Sequence, residues 1–184
     1  MRCLALVALL PFAAHADGLC DFDGYTDGTH PWDVAIHAGP SLDSAVIGVA
    51  PRAAQGSDYE GFGADFSVVE MKDGWARIAN LQDADGNHFK TEGWIDGAYV
   101  QFVPQTEVAF AVPDQTGPVV WSGSDPFSNA LLDCRGEWAL IRFDLVDTDG
   151  QVWLASGQQI GWVRGICASQ TTTCDGLIGD RHPK

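Results

Sequence analysis

The side chains that could do chemistry are scattered along this chain rather than gathered. His30, His37, His88 and His182 stand apart, with neither metal-ligand spacing nor a nucleophile motif beside them. There is no Gly-x-Ser-x-Gly elbow, no zinc-protease helix and no phosphate loop. Asp58 and Glu60 are of types that can work as acid and base. With 25 acidic residues in the chain, however, such pairs arise without meaning. Asp83-Ala-Asp85-Gly-Asn87, Asp147-Thr-Asp149-Gly150 and Asp21-Phe-Asp23-Gly-Tyr-Thr-Asp27 invite a calcium reading. A calcium loop of the EF-hand kind needs oxygens at positions 1, 3 and 5, glycine at 6 and glutamate at 12. Counting from Asp83 puts His88 and Trp94 at the last two positions; counting from Asp21 puts Tyr25 at the third and Trp32 at the last. These segments read as acidic turns. No catalytic residue, metal or cofactor is expected.

Binding is the chemistry that remains, and aromatic rings are what could carry it. Trp75, Trp94, Trp138 and Trp162 recur at matched places and are expected in the core. Trp32, Trp121 and Trp153 have no matched partner. Tyr59, Phe62, Phe66, Trp121, Phe127 and Trp153 are the residues expected to form an exposed groove, because flat aromatic faces accept the ridges of an extended chain. A buried seam between two domains is the competing place for them.

The elements that would position these rings come in two copies. Trp75-Ala-Arg-Ile and Gly93-Trp94-Ile95 return as Trp138-Ala-Leu-Ile and Gly161-Trp162-Val163. Val34-Ala-Ile36 pairs with Val108-Ala-Phe110, Gly56-Ser-Asp58 with Gly123-Ser-Asp125, and Asp85-Gly86 with Asp149-Gly150, in the same order, with offsets between 63 and 74. A period of this size marks a duplicated unit whose loops differ in length. Each copy consists of short branched and aromatic runs, such as Val46-Ile-Gly-Val and Phe66-Ser-Val-Val, broken by Gly, Pro and Asp. No window shows a helical stripe. The class is all-β, with a first domain over 32–103, a join at 104–106 and a second domain over 107–167. Residues 17–31 read as an irregular arm and 168–184 as a polar tail.

Residues 1–16 read as an export signal: Arg2, an apolar run of eleven from Leu4 to Ala14, and Ala14-His15-Ala16 as a cleavage site. That run is too short for a bilayer, and no other stretch approaches ~20 apolar residues. Removing it leaves 168 residues and moves the formal charge from −15 to −16. Such a charge disfavours nucleic acid and anionic lipid, whose phosphates attract Lys and Arg. The expected compartment is secreted or periplasmic. Four cysteines remain, and in an oxidising compartment they imply two disulfides. If the Trp138 and Trp162 strands form an antiparallel hairpin, Cys134 lies beside Cys167, leaving Cys20 for Cys174. Closing the 33-residue separation of the first pair would contribute roughly 3–4 kcal/mol on the loop-entropy model.

Taken together, Ala35-Ile36-His37-Ala38-Gly39-Pro40-Ser41, Val46-Ile47-Gly48, Gly74-Trp75-Ala-Arg-Ile78 and Gly93-Trp94-Ile95 resemble the bacterial SH3-like domain family of exported cell-envelope proteins. The second copy keeps Glu137-Trp138-Ala-Leu-Ile141 and Gly161-Trp162-Val163 but lacks Gly-Pro-Ser. Ala35 and His37 depart from the family's Asn and Arg. The resemblance implies two tandem small SH3-like β-barrels. It also implies a non-catalytic protein that binds a cell-wall component such as peptidoglycan stem peptide, or an exposed peptide of another envelope protein. The alternatives are an accessory subunit of an envelope complex and a small wall hydrolase.

Overall fold

The computed structural model describes residues 18–122, 127–144 and 159–170. The strands are β1 (Gly18–Asp27), β2 (Val34–His37), β3 (Val46–Ala50), β4 (Phe62–Lys72), β5 (Trp75–Gln82), β6 (Gly93–Asp96), β7 (Val100–Gln101), β8 (Val103–Pro104), β9 (Val108–Phe110), β10 (Val119–Ser122), β11 (Phe127–Arg135), β12 (Trp138–Asp144), β13 (Gln159–Val163) and β14 (Ile166–Cys167). A single 3-10 turn, Gly97–Tyr99, is the only helical element among the described residues. The protein is all-β.

The duplication is written into the sheets. The first sheet runs β3-β2-β6-β5-β4-β1-β7 and the second β10-β9-β13-β12-β11, so five strands recur in the same order. Their registers agree. Ala76 faces Ile95 and Ile78 faces Gly93, where Ala139 faces Val163 and Ile141 faces Gly161. Trp75 and Trp138 each close a tight turn, opposite Lys72 and Arg135. Even the irregularities repeat: Ile47 bulges out of the β2–β3 ladder and Val120 out of β9–β10. One match shifts. His37 faces Trp94 where Phe110 faces Trp162, so Ala35-Ile36-His37, not Val34-Ala-Ile36, is the counterpart of Val108-Ala-Phe110.

The two Gly-Trp pairs owe their glycines to crowding. A Cβ on Gly93 would come within 2.6 Å of the His37 carbonyl oxygen and of Ile36 Cγ2. One on Gly161 would come within 2.8 Å of Ala109 Cβ. The neighbouring strand can approach only a residue without a side chain.

Three expectations change. Neither main sheet closes on itself among the described residues, so two closed barrels are not seen. The two halves share a core, in which Val34, Ile36, Ile78 and Ile95 join Leu131, Ile141, Phe143 and Val163 in one cluster. The stretch 17–31 is not an irregular arm: β1 pairs with β4 and β7 inside the first sheet. Finally, Cys20 is bonded to Cys134, which replaces both Cys134–Cys167 and Cys20–Cys174. The hairpin of β12 and β13 is present, but the chain turns sharply at Gly136, with φ 57°. Cys134 therefore lies on β11, opposite Ala139 rather than at the start of the Trp138 strand. There it meets β1, held by hydrogen bonds from Asp21 N–H to the Gly136 carbonyl and from Gly136 N–H to the Leu19 carbonyl. Cys167 is itself disulfide-bonded; Cys174, like residues 1–16, lies outside the described residues.

Non-reducing peptide mapping should recover a Cys20–Cys134 link. Replacing both cysteines by alanine should cost about 2–5 kcal/mol of unfolding free energy, because the bond spans 114 residues. Gly161→Ala should cost about 1–3 kcal/mol by overpacking, read as a lower midpoint in chemical denaturation; an unchanged midpoint would contradict the close approach of β9.

Candidate functional site: an aromatic cleft beside Trp75

Alternation along the strands gives each half an inner and an outer face. In the first half Val34, Ile36, Ala76, Ile78 and Ile95 point into the core. Ala35, His37, Trp75, Arg77 and Trp94 therefore share the opposite face. On it lies a cleft of about 310 Å³ lined by Trp32, Asp33, His37, Trp75, Asp96 and Tyr99, with Leu42 at its rim.

Each lining group has a local reason for its place. Trp75 follows the two-residue turn Asp73-Gly74, whose φ values of 51° and 82° are the left-handed pair a tight hairpin needs. Its ring meets His37 edge to face at 5.2 Å between centroids. The His37 ring is fixed in turn by Nδ1 at 3.0 Å from the Ser44 carbonyl oxygen. A carbonyl only accepts, so Nδ1 carries a proton. Asp96 caps the 3-10 turn, its Oδ1 accepting from Ala98 N–H at 2.9 Å. That turn presents Tyr99, which packs on the main core. His30 links the far wall, stacked on Trp32 at 5.8 Å and edge-on to Tyr99 at 5.5 Å. Asp27 anchors this loop. Burial pushes its carboxyl up, but the Thr29 hydroxyl and amide and the nearby His30 outweigh that and hold it below its ordinary 3.8.

The cleft leaves apolar surface open to water: Trp32 is 57% and Leu42 78% exposed. It can take a flat or ridged ligand against its rings and a positive group beside its two carboxylates.

The residues expected to form the groove are not gathered into one. Tyr59 and Phe62 contact each other at 5.9 Å in the segment entering β4. Phe66 is 2% exposed, a core residue. Trp121 lies on β10, packed edge-on against Phe143 at 5.5 Å. Phe127 begins β11, and its side chain, like all of Trp153, lies outside the described residues. Of the four matched tryptophans only Trp162 is buried; Trp75, Trp94 and Trp138 are half-buried. The alternation of Ala35, His37 and Trp75 against Ile36 and Ala76, together with unmatched Trp32, was the available signal for the face that carries the cleft.

A second, polar cleft of about 450 Å³ is lined by Asp23, Asp65, Ser67, Asn80, Gln82 and His88. Its groups largely satisfy one another. Ser67 donates to Asp23 at 2.8 Å, Asn80 donates to Ser67 at 3.2 Å, and Gln170 donates to Asp65 at 2.8 Å. Burial raises the Asp65 carboxyl above its ordinary 3.8, the Asp23 charge adds to the rise, and the Gln170 amide opposes it. The Asp83 turn is likewise self-contained: its carboxylate accepts from the Asn87 side chain and from the backbone of Asp85 and Asn87. No group of three or more His, Cys, Asp or Glu among the described residues is placed to hold a metal ion.

No protein-family model, curated protein or solved structure matches the chain. No helix among the described residues is long and apolar enough to cross a membrane.

The raised Asp65 makes a pH prediction. Its neutral form is favoured by folding, so its contribution is fully present below pH 3.8 and lost as pH rises through the higher folded value. Asp65→Asn, which can still accept from Gln170, should raise the thermal midpoint at pH 7 and leave it nearly unchanged at pH 3. A loss of stability at pH 7 would show that the carboxylate is held by a favourable charge partner instead.

Proposed function

We propose that this is an exported, non-catalytic protein built from a tandem pair of SH3-like units, which binds a cell-wall component or an exposed peptide of another envelope protein. The observation that carries this reading is the open cleft of Trp32, Trp75 and Tyr99, held on the loop before β2, on β5 and on a capped turn. Rings on a rigid framework lose little entropy on binding and present large amphipathic surface. The residue likeness to the SH3-like family supports the fold side of the proposal, and the five-strand order shared by the two sheets supports the duplication. An oxidising, exported setting is supported by the Cys20–Cys134 bond. A second reading, an accessory subunit of an envelope complex, draws on edge strand β3, where Val46, Ile47 and Val49 are exposed. An unpaired apolar edge is a template for a partner's strand.

Immobilised mature protein should retain wall fragments or an envelope peptide without altering them. Trp32→Ala should weaken that retention about tenfold or more while leaving the thermal midpoint within a degree or two, since a few aromatics dominate binding and this ring is mostly exposed. Retention that survives Trp32→Ala but is lost on introducing Lys at Val49 would favour the accessory-subunit reading. Release of soluble fragments from the wall would identify an enzyme.

A further inference from the structure

The second copy of the fold contains, within itself, an image of what the first copy's cleft lacks. Because Ile95 and Val163 occupy the same register position, the next residues correspond: Asp96 in the first copy, Arg164 in the second. His37 over Trp75 becomes Phe110 over Trp138, both pairs edge to face, at 5.2 and 5.7 Å. In the second copy the Arg164 guanidinium lies over the Trp138 ring, 5.4 Å from its centroid, and is paired with Glu137 at 3.4 Å. That face is otherwise sealed, with Val108, Phe110 and Trp162 buried against Trp138 and Leu140. In the first copy the same backbone position is a carboxylate. The cleft holds Asp33 as well, and among the described residues no arginine or lysine lines it. Arg52 is nearby, but its guanidinium is directed to the His30 carbonyl at 3.4 Å, while Asp33 accepts only its backbone N–H.

We infer that the Trp75 cleft is a receptor for an arginine guanidinium, delivered by an exposed basic segment of another exported protein, stacked on Trp75 and paired with Asp96. The ligand thus supplies the cation that Arg164 supplies internally in the second copy. A guanidinium suits this site because it is planar, weakly hydrated and able to stack and pair at once. The formal charge of −15 favours the encounter with a basic segment. The inference rests on the peptide-binding reading above and narrows it to one partner chemistry.

The test uses the indole N–H signals of Trp75 and Trp32 in a two-dimensional NMR titration of the mature protein. The probes are a capped Gly/Pro hexapeptide with one central arginine, its citrulline counterpart and a wall muropeptide bearing a free amine. The arginine peptide should shift both signals. Citrulline, of the same shape but uncharged, should bind about tenfold or more weakly. Asp96→Asn, which keeps the cap to Ala98, should weaken the arginine peptide several-fold and leave the citrulline peptide unchanged. Asp96→Arg should abolish arginine binding by filling the cleft from within, in a protein whose remaining spectrum is preserved. Equal binding of arginine and citrulline peptides at Trp75 would overturn the guanidinium inference and leave peptide binding standing. Shifts caused by the muropeptide alone would overturn the protein-segment partner in favour of the wall. No shift with any probe would overturn both this inference and the binding cleft.

Discussion

Strand β1 is the constraint on which the arrangement of the two halves depends. It pairs along β4 in the first sheet and, at its start, crosses to the turn of the second, where backbone hydrogen bonds to Gly136 and the bond to Cys134 fix it. β11, the strand carrying Cys134, packs against β1, β7 and the 3-10 turn. Two five-stranded units of this size bury little surface alone. With β1 between them their inner faces merge into one cluster. The position of Cys134 in the second copy is that of Met71 in the first, each opposite an alanine, Ala139 or Ala76. The same core site is thus filled by a flexible side chain in one copy and by a covalent bond in the other.

With the inner faces committed to that shared core, the copies were free to diverge on the outer one. Leu140 and Phe110 in the second copy stand where Arg77 and His37 stand in the first. Two apolar side chains complete a satellite cluster around Trp162, which is 6% exposed. Arg77, its guanidinium tied to Glu70 at 2.7 Å, cannot complete such a dry cluster, although His37, bonded to the Ser44 carbonyl, is itself buried. So the first copy's outer face stays open beside Arg77, and Trp94 stays half-buried where Trp162 is buried. One fold yields a sealed face and an open cleft from a handful of exchanges.

The duplication was legible because its marks are physical. Gly-Trp recurs where a neighbouring strand presses close, and Trp-Ala-x-Ile recurs where a turn ends and the core begins. The one-residue slip in the Val-Ala-Ile match arose because both strands are apolar at three positions, so hydrophobicity alone does not set the register; the side facing the core does. β1 was illegible for a different reason. The residues it turns inward are Gly18, Cys20, Phe22, Gly24 and Thr26, all but Phe22 small or polar because other strands crowd it. That composition looks like a loop. Phe66 looked like a groove residue, yet Ala64, Phe66 and Val68 form one alternating inner row of β4. The cysteine pairing failed on a turn at Gly136 that reverses the chain between Cys134 and Trp138.

The cleft itself could not be read as a site because its parts come from five separate segments. Trp32 and Leu42 are on loops, His37 on β2, Trp75 on β5, and Asp96 and Tyr99 at the far end of β6. What makes them one site is the local charge balance rather than the total. At physiological salt the Debye length is about 8 Å, so most of the 25 acidic residues act on a ligand only as a distant field. Asp33 and Asp96 line the same cleft as Trp75, so they share the space a group stacked on it would occupy. Two carboxylates beside Trp75 make the first copy's cleft favourable to a positive group. In the second copy Arg164 takes the place of Asp96, and the cation over Trp138 is the protein's own.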